Sequence, residues 1–265
     1  MARVIAIANQ KGGVGKTTTA INIAAGLAAA ERRTLLIDGD PQGNATSGVG
    51  LQRRTEEPTS YDVLLDPALA KAAIVHAVQF DNLDVLPSSH DMAAAEVELA
   101  GVLGRESRMR QAVDRIRAEY DYVIIDCPPS LGLITLNMLV AADSVLIPLQ
   151  CEYYALEGLS QLMNTISAIQ QGASPSLVLE GIVLTMFDSR LNLSRQVSED
   201  ARAHFGDRVF QSVVPRNIRL AEAPSFGKPI IAYDLASVGA QAYLGVVNEI
   251  ILKTGSSTPP GLVAA

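Results

Sequence analysis

The stretch Ala8-Asn9-Gln10-Lys11-Gly12-Gly13-Val14-Gly15-Lys16-Thr17-Thr18-Thr19 stands between an apolar run, Val4-Ile5-Ala6-Ile7, and a helical pattern opening at Ala20-Ile21-Asn22-Ile23. Strand, glycine loop and helix, in that order, is the arrangement a phosphate-binding loop needs. Gly12, Gly13 and Gly15 let the backbone curl until successive N–H groups point inward, as an anion nest at a helix N-terminus. Lys16 then reaches the β- and γ-phosphates of a nucleotide, and the Thr17 hydroxyl is placed to ligate Mg²⁺. Gly12, Gly13, Val14, Gly15, Lys16, Thr17 and Thr18 are therefore the expected cradle. An ordinary glycine-rich turn is the plainer reading, but the flanking elements and Thr17 after Lys16 favour phosphate. The pattern G-x-x-x-x-G-K-[ST] asks for glycine where this chain has Gln10, and a second lysine, Lys11, stands at the mouth of the loop.

The same alternation of short apolar runs and longer helical patterns continues along the chain. Candidate strands are Val4–Ala8, Thr34–Asp38, Leu83–Pro87, Tyr122–Asp126, Ser144–Pro148, Val178–Thr185 and Val209–Val213. Several are apolar at almost every position, as strands covered on both faces of a parallel sheet are. Helical patterns fill 17–30, 91–99, 107–118, 133–141, 155–171, 194–205 and 237–252. This rhythm predicts an α/β fold: a doubly wound, mostly parallel β-sheet flanked by helices, with ligands at the carboxyl ends of the strands. No Gly/Ser/Pro-rich linker or fixed-period repeat divides the chain. One domain over 1–253 is expected, followed by a flexible tail over 254–265 that reads Thr254-Gly255-Ser256-Ser257-Thr258-Pro259-Pro260-Gly261 onward.

Hydrophobic residues make up 48% of the 265, enough for a sizeable core. The formal net charge of −7 argues against a generally basic nucleic-acid binder, so any DNA contact has to come from a local patch. Two cysteines, Cys127 and Cys151, make no disulfide framework. No secretory signal is visible, and the apolar stretch Leu131–Leu149 is interrupted by Asn137 and Asp143, so no membrane span is expected. A cytoplasmic, reduced protein is the reading. His76, His90 and His204 share no ligand spacing, leaving Mg²⁺ as the one metal expected.

Carboxylates follow two of the candidate strands. Asp126 closes Tyr122–Ile125 as a strand-end aspartate that holds Mg²⁺ through water should. Asp38 and Asp40, one residue apart and next to Pro41 and Gly43, suggest a loop positioned for chemistry, although a strand-end aspartate is commonly a solvated terminus or a cap. The loops at 9–16, 39–46 and 127–132 all follow strands and can converge. Segment 188–219 carries Arg190, Arg195, Arg202, Arg208, Arg216 and Arg219 against Asp188, Glu199, Asp200 and Asp207. A solvated face is the default reading of such charge.

Lys11-Gly12-Gly13-Val14-Gly15-Lys16-Thr17-Thr18 resembles the deviant phosphate loop of the ParA/MinD/nitrogenase-iron-protein class of ATPases. The resemblance continues in Leu36-Ile37-Asp38-Gly39-Asp40-Pro41-Gln42-Gly43-Asn44-Ala45-Thr46 and in Tyr122-Val123-Ile124-Ile125-Asp126-Cys127-Pro128-Pro129-Ser130. A fourth block, Val214-Pro215-Arg216-Asn217-Ile218-Arg219-Leu220-Ala221-Glu222-Ala223-Pro224-Ser225-Phe226-Gly227-Lys228-Pro229, is similar to the chromosomal ParA (Soj) branch. Four blocks in order cover nearly the whole chain.

That resemblance implies a partition ATPase with ATP and Mg²⁺ as cofactors. It implies that Lys11 crosses a homodimer interface to the partner's ATP, that Asp40 orients the attacking water, and that Asp38 lies near the metal alongside Thr17 and Asp126. Lys11, Lys16 and Asp40 are thus the expected catalytic set, and Pro128-Pro129 with Gly132 an expected switch loop. It places Pro215 and Arg216 at the adenine; a turn proline and a surface arginine are the plainer readings. Arginines matching Arg190 and Arg219 form a non-specific surface for double-stranded DNA in the ATP-bound dimer, and a ParB-type centromere-binding partner stimulates slow hydrolysis. A nucleoid-associated protein without an N-terminal helix-turn-helix is then expected. The rivals are a MinD-like membrane-cycling ATPase, which needs a C-terminal amphipathic helix that the Ser/Pro/Gly-rich end does not supply, and a positioning ATPase for other cargo. The contexts Asp126-Cys127-Pro128-Pro129 and Gln150-Cys151-Glu152-Tyr153 do not resemble the iron-cluster ligands of nitrogenase iron protein, so two buried thiols are expected.

Overall fold

A computed structural model describes residues 2–52, 57–152 and 155–255. In chain order the strands and α-helices are β1 (Arg3–Ile7), α1 (Lys16–Ala29), β2 (Thr34–Asp38), α2 (Asn44–Gly48), α3 (Ser60–Leu65), β3 (Leu83–Leu86), α4 (Ala95–Glu98), α5 (Arg108–Ile116), β4 (Tyr122–Asp126), α6 (Leu133–Ala141), β5 (Ser144–Gln150), α7 (Ala155–Gln171), β6 (Val178–Thr185), α8 (Asn192–Phe205), α9 (Ile218–Glu222), α10 (Ile230–Tyr233) and α11 (Val238–Gly255). The strands form one six-stranded sheet in the order β3-β2-β4-β1-β5-β6, and every ladder is parallel.

Strand residues alternate between two cores, so both faces are covered, which is why the runs read as continuously apolar. Ile5, Ile7, Leu36 and Ile124 pack on one side with Ala24, Leu27, Tyr243 and Val247. Val4, Ala6, Leu35, Ile37, Val123 and Ile125 face the other side with Met109, Val113, Met138 and Leu139. In the first layer α1 lies close against α11, because Gly26 presents no side chain; a Cβ there would stand 2.7 Å from Val247 Cγ2. The pairing Ile7↔Asp126 and Asp38↔Asp126 brings the carboxyl ends of β1, β4 and β2 level with one another. Three loops therefore leave the sheet side by side.

Two expected elements differ. The seventh strand, Val209–Val213, is no strand: beside β6 run an isolated parallel bridge, Ile182↔Val209, and the Val214 N–H donating to the Leu184 carbonyl at 2.9 Å, with a second bridge, Phe187↔Pro215, just beyond the strand. Its ladder is interrupted where the Gln211 and Ser212 N–H groups turn to the Glu249 carboxylate of α11, at 2.9 and 2.7 Å. The helix expected over 91–99 is a 3₁₀ turn, His90–Ala94, followed by the four-residue α4. Met92 and Ala95, three residues apart, are both buried, the spacing that a three-residue turn aligns. Of the expected tail, Thr254 and Gly255 close α11, and 256–265 lie outside the described residues.

Candidate nucleotide site

The loop after β1 is shaped by Gly13 at φ 74° and Gly15 at φ 88°, both in the left-handed region that favours glycine. Gly15 caps α1 without a side-chain bond, leaving the helix N-terminus to an anion. A Cβ added at Gly12, Gly13 or Gly15 would meet nothing within 4 Å, so the glycines border open space rather than packed protein. The crest is held by the Thr185 hydroxyl donating to the Val14 carbonyl at 2.9 Å. Asn9 fixes the mouth: its amide donates to the Pro148 carbonyl at 2.7 Å and its Oδ1 accepts from the Lys11 N–H at 3.0 Å. Neither Asn9 nor Thr185 was singled out by sequence reasoning; a buried asparagine just before a glycine loop was the available signal for the first.

Lys16 is buried beside the loop, with Nζ donating to the Lys11 carbonyl at 3.1 Å. Burial pulls its pKa down, and Asp126, Cys127 and Asp40 push back. Asp126 is fully buried, and apart from the approach of the Thr17 hydroxyl neither carboxylate oxygen has a hydrogen-bond partner among the described residues. Burial, then the charge of Asp38, raises its pKa well above the usual range, with Thr17 and Lys16 opposing. A buried carboxylate so thinly partnered is costly unless something cationic completes it. Mg²⁺ fits: it takes one or two carboxylates, phosphates and water rather than an all-protein cage. Among the described residues no group of three His, Cys, Asp or Glu side chains is arranged to hold a metal by itself. Thr17 and Asp126 are the side chains available to it.

Asp38 is differently used. Its Oδ1 accepts from the Asp40 N–H at 3.1 Å, and its Oδ2 from the Thr46 N–H and hydroxyl at 2.8 and 2.7 Å. Burial raises its pKa to about 6 against those hydrogen bonds. Asp38 thus ties down the loop that carries Asp40, whose own Oδ1 accepts from the Gln42 N–H at 2.9 Å. Gly39 lets that loop press on β4: a Cβ there would lie 2.8 Å from Met138 Cε and 2.9 Å from the Asp126 carbonyl.

Beyond the loop a cavity of about 200 Å³ is lined by Thr18, Thr185, Met186, Val214, Pro215 and Leu220, among others, with Arg216 at its rim. Asn217 caps α9 through the Leu220 N–H at 3.2 Å, and Tyr243 closes the floor with its hydroxyl 3.0 Å from Thr19 Oγ1. Size and largely apolar lining suit a planar base. Met186, Asn217 and Tyr243 are additions to the two residues expected here. Met186 holds φ 51°, rare for a non-glycine residue and met where a site constrains the backbone.

Lys11 points to neither cradle nor cavity: Nζ pairs with Glu152 Oε2 at 3.3 Å, and Arg216 approaches the same carboxylate at 3.9 Å. Arg190 and Arg219 are exposed. Arg190 pairs with Asp188 at 2.7 Å, which holds the Asp188 carboxyl down at about 2, and Arg219 pairs with Glu222 at 3.0 Å and Asp234 at 3.5 Å. The Phe187↔Pro215 bridge joins the two segments that carry them, along the outer edge of β6. Cys127 and Cys151 are free and buried.

A family model described as an AAA domain matches residues 2–179. The chromosome partitioning protein ParA of Myxococcus xanthus is 56% identical over 99% of this chain and 92% of its own length. The sporulation initiation inhibitor protein Soj of Bacillus subtilis is 53% identical over 94% of this chain and 98% of its own. The chain belongs to the ParA/Soj family. A ParA/Soj fold is shared with a solved Mycobacterium smegmatis protein named cobyrinic acid a,c-diamide synthase, 37% identical, covering 100% of both chains at a TM-score of 0.84, with ADP and magnesium bound. No helix among the described residues of this ParA/Soj member is long and apolar enough to cross a membrane.

Proposed function

We propose that the chain is a DNA-partitioning ATPase that binds Mg-ATP, pairs face to face with a second copy around two nucleotides, and holds double-stranded DNA in that state. The observation that carries the reading is Asp126: a fully buried carboxylate approached only by the Thr17 hydroxyl and the charge of Lys16 among the described residues, beside an open glycine cradle. The N–H groups from Gly12 to Thr18 receive the phosphates and Lys16 neutralises their charge, while Thr17 and Asp126 are the side chains that would hold Mg²⁺. Bound there, the ion would neutralise charge that builds up on the phosphates. Asp38 stays near the metal chiefly as the anchor that sets Asp40, and Asp40 orients the attacking water. Pro215 and Arg216 frame the adenine.

Lys11 gives the reading its oligomer. Half-buried and paired weakly with Glu152, it can exchange that carboxylate for the phosphate of a facing copy. Arg190 and Arg219 then supply DNA contacts, doubled by the dimer. Four phosphates neutralised correspond to a slope of log K against log salt of about −3.6. A ParB-type partner stimulates hydrolysis, and the protein works in the cytoplasm on the nucleoid.

The deciding experiment measures ATP hydrolysis with and without DNA and a ParB-type protein. Lys16→Ala is expected to abolish nucleotide binding, and Asp40→Ala to lower hydrolysis about 100-fold while sparing binding, within the range for a positioned acid–base group. Hydrolysis by Asp40→Ala at the unaltered rate removes that role. Arg190→Ala/Arg219→Ala is expected to flatten the salt slope; unchanged DNA affinity sinks the DNA assignment.

A further inference from the structure

Of the five phenylalanines, Phe226 alone stands exposed, at 63%, and it belongs to neither hydrophobic core. It closes a 3₁₀ turn, Ala223–Phe226, between α9 and α10. One face of its ring lies on Tyr233, with centroids 5.1 Å apart and planes inclined by 26°. The turn is held, so the ring is presented to solvent rather than frayed into it. Gly227, at φ 61°, presses on the turn after α2: a Cβ there would stand 2.7 Å from Gly50 Cα. The Gln79 amide donates to the Gly227 carbonyl at 3.1 Å and to the Val49 carbonyl at 2.9 Å, and the Lys228 N–H reaches back to the Ala223 carbonyl at 3.2 Å.

The aromatic pair is joined to Arg219. The Tyr233 hydroxyl donates to Glu222 Oε2 at 3.2 Å, and the Arg219 guanidinium reaches the same oxygen at 3.0 Å. Guanidinium, phenol and phenyl ring therefore follow one another through direct contacts. Asp234 takes the Arg219 Nε at 3.5 Å; both carboxylates sit in partly exposed pairs, which a phosphate displaces at little cost. Lys228 adds an exposed cation two residues beyond the ring. Helix α9 lies between this group and the cavity beside the glycine loop: Leu220 and Ala221 line the cavity, while Arg219 and Glu222 carry the outer contacts.

We propose that Phe226 is a stacking platform for an unpaired DNA base, set beside the phosphate contact of Arg219, so that the surface prefers DNA whose bases are already open. The proposal rests on the DNA-binding reading above and names which part of the DNA the surface takes. An aromatic ring beside cations holds exposed bases without regard to sequence, because every base has a π-face. In a paired duplex that face is hidden in the stack, and freeing it costs energy that an open base has already spent.

The test compares a fully paired duplex with the same duplex carrying a short mismatched bubble, each titrated in Mg-ATP over a range of salt. The unaltered chain is expected to bind the bubble at least about fivefold more tightly, the lower end of what one stacked base contributes. Phe226→Ala is expected to erase that preference and keep the slope of log K against log salt. Arg219→Ala is expected to do the reverse, flattening the slope and keeping the preference, because stacking on a ring releases no counterions. The chain has no tryptophan, so Phe226→Trp puts a single indole at the site. It is expected to keep the preference and to lose more emission on the bubble than on the paired duplex. Equal affinity of the unaltered chain for the two DNAs overturns the platform and leaves the DNA reading standing, as does a preference that survives in Phe226→Ala. Should Phe226→Ala fail to fold, the indole decides: emission unchanged on bound bubble DNA overturns the platform. If the unaltered chain binds neither DNA at any salt, the DNA reading falls and the platform with it.

Discussion

Gly15 holds its backbone at φ 88° one residue before Lys16, and two different costs meet there. An L-residue in the left-handed region costs about 1–2 kcal/mol, and a Cβ at this position meets no protein atom within 4 Å. Gly15→Ala is therefore expected to lower unfolding free energy by that amount in urea titration, yet to lose nucleotide binding in calorimetry, because the new methyl enters the cradle. Retained binding with the stability loss would remove the cradle assignment. The two thiols behave oppositely to reactive cysteines: burial pushes Cys151 up to about 11 and Cys127 beyond it. Iodoacetamide at pH 8 is expected to leave both unmodified in the native chain and to label both in guanidinium, read by intact mass. At this scale Lys16, Thr17 and Asp126 were legible, because a phosphate loop fixes its lysine and hydroxyl by spacing and a strand-end aspartate fixes itself by position. Asn9, Thr185 and Met186 were not, since their roles come from partners far along the chain.

Between elements, contacts rest on small residues and side-chain amides as much as on large apolar groups. Gly26→Ala improves helix propensity on paper, but the added carbon would press on Val247 of α11 at 2.7 Å. We expect a net destabilisation of about 1–3 kcal/mol, the range for overpacking, measured by chemical denaturation. Asn137→Ala unties three hydrogen bonds from α6 and is expected to cost about 1–3 kcal/mol. The parallel strands were readable as apolar runs of strand length. Val209–Val213 misled because apolar content does not say where N–H groups go; here two of them are taken by Glu249, 38 and 37 residues on in another element. The short helices α2, α3, α9 and α10 escaped for the opposite reason, being too brief to show a helical period.

For the molecule as a whole, a site that completes a buried carboxylate couples ligand to stability. Mg-ATP at 100 times its Kd is expected to add about 2.7 kcal/mol, or roughly 5–10 °C in Tm for a chain of this size. EDTA is expected to remove most of that gain, and Lys16→Ala all of it, in differential scanning calorimetry. An equal gain in Lys16→Ala would place the nucleotide elsewhere. One further property follows from how the sheet ends. The outer side of β3 is closed by Val75, whose N–H and carbonyl both pair with Val85 at 2.8 Å, and the outer side of β6 by the Phe210 and Val214 N–H groups, which donate to the Ile182 and Leu184 carbonyls at 2.9 Å. Neither margin is left as an open row of amides onto which another chain could grow as a new strand. The two margins of the sheet are thus guarded against edge-to-edge growth into fibres, whatever the local concentration of the protein.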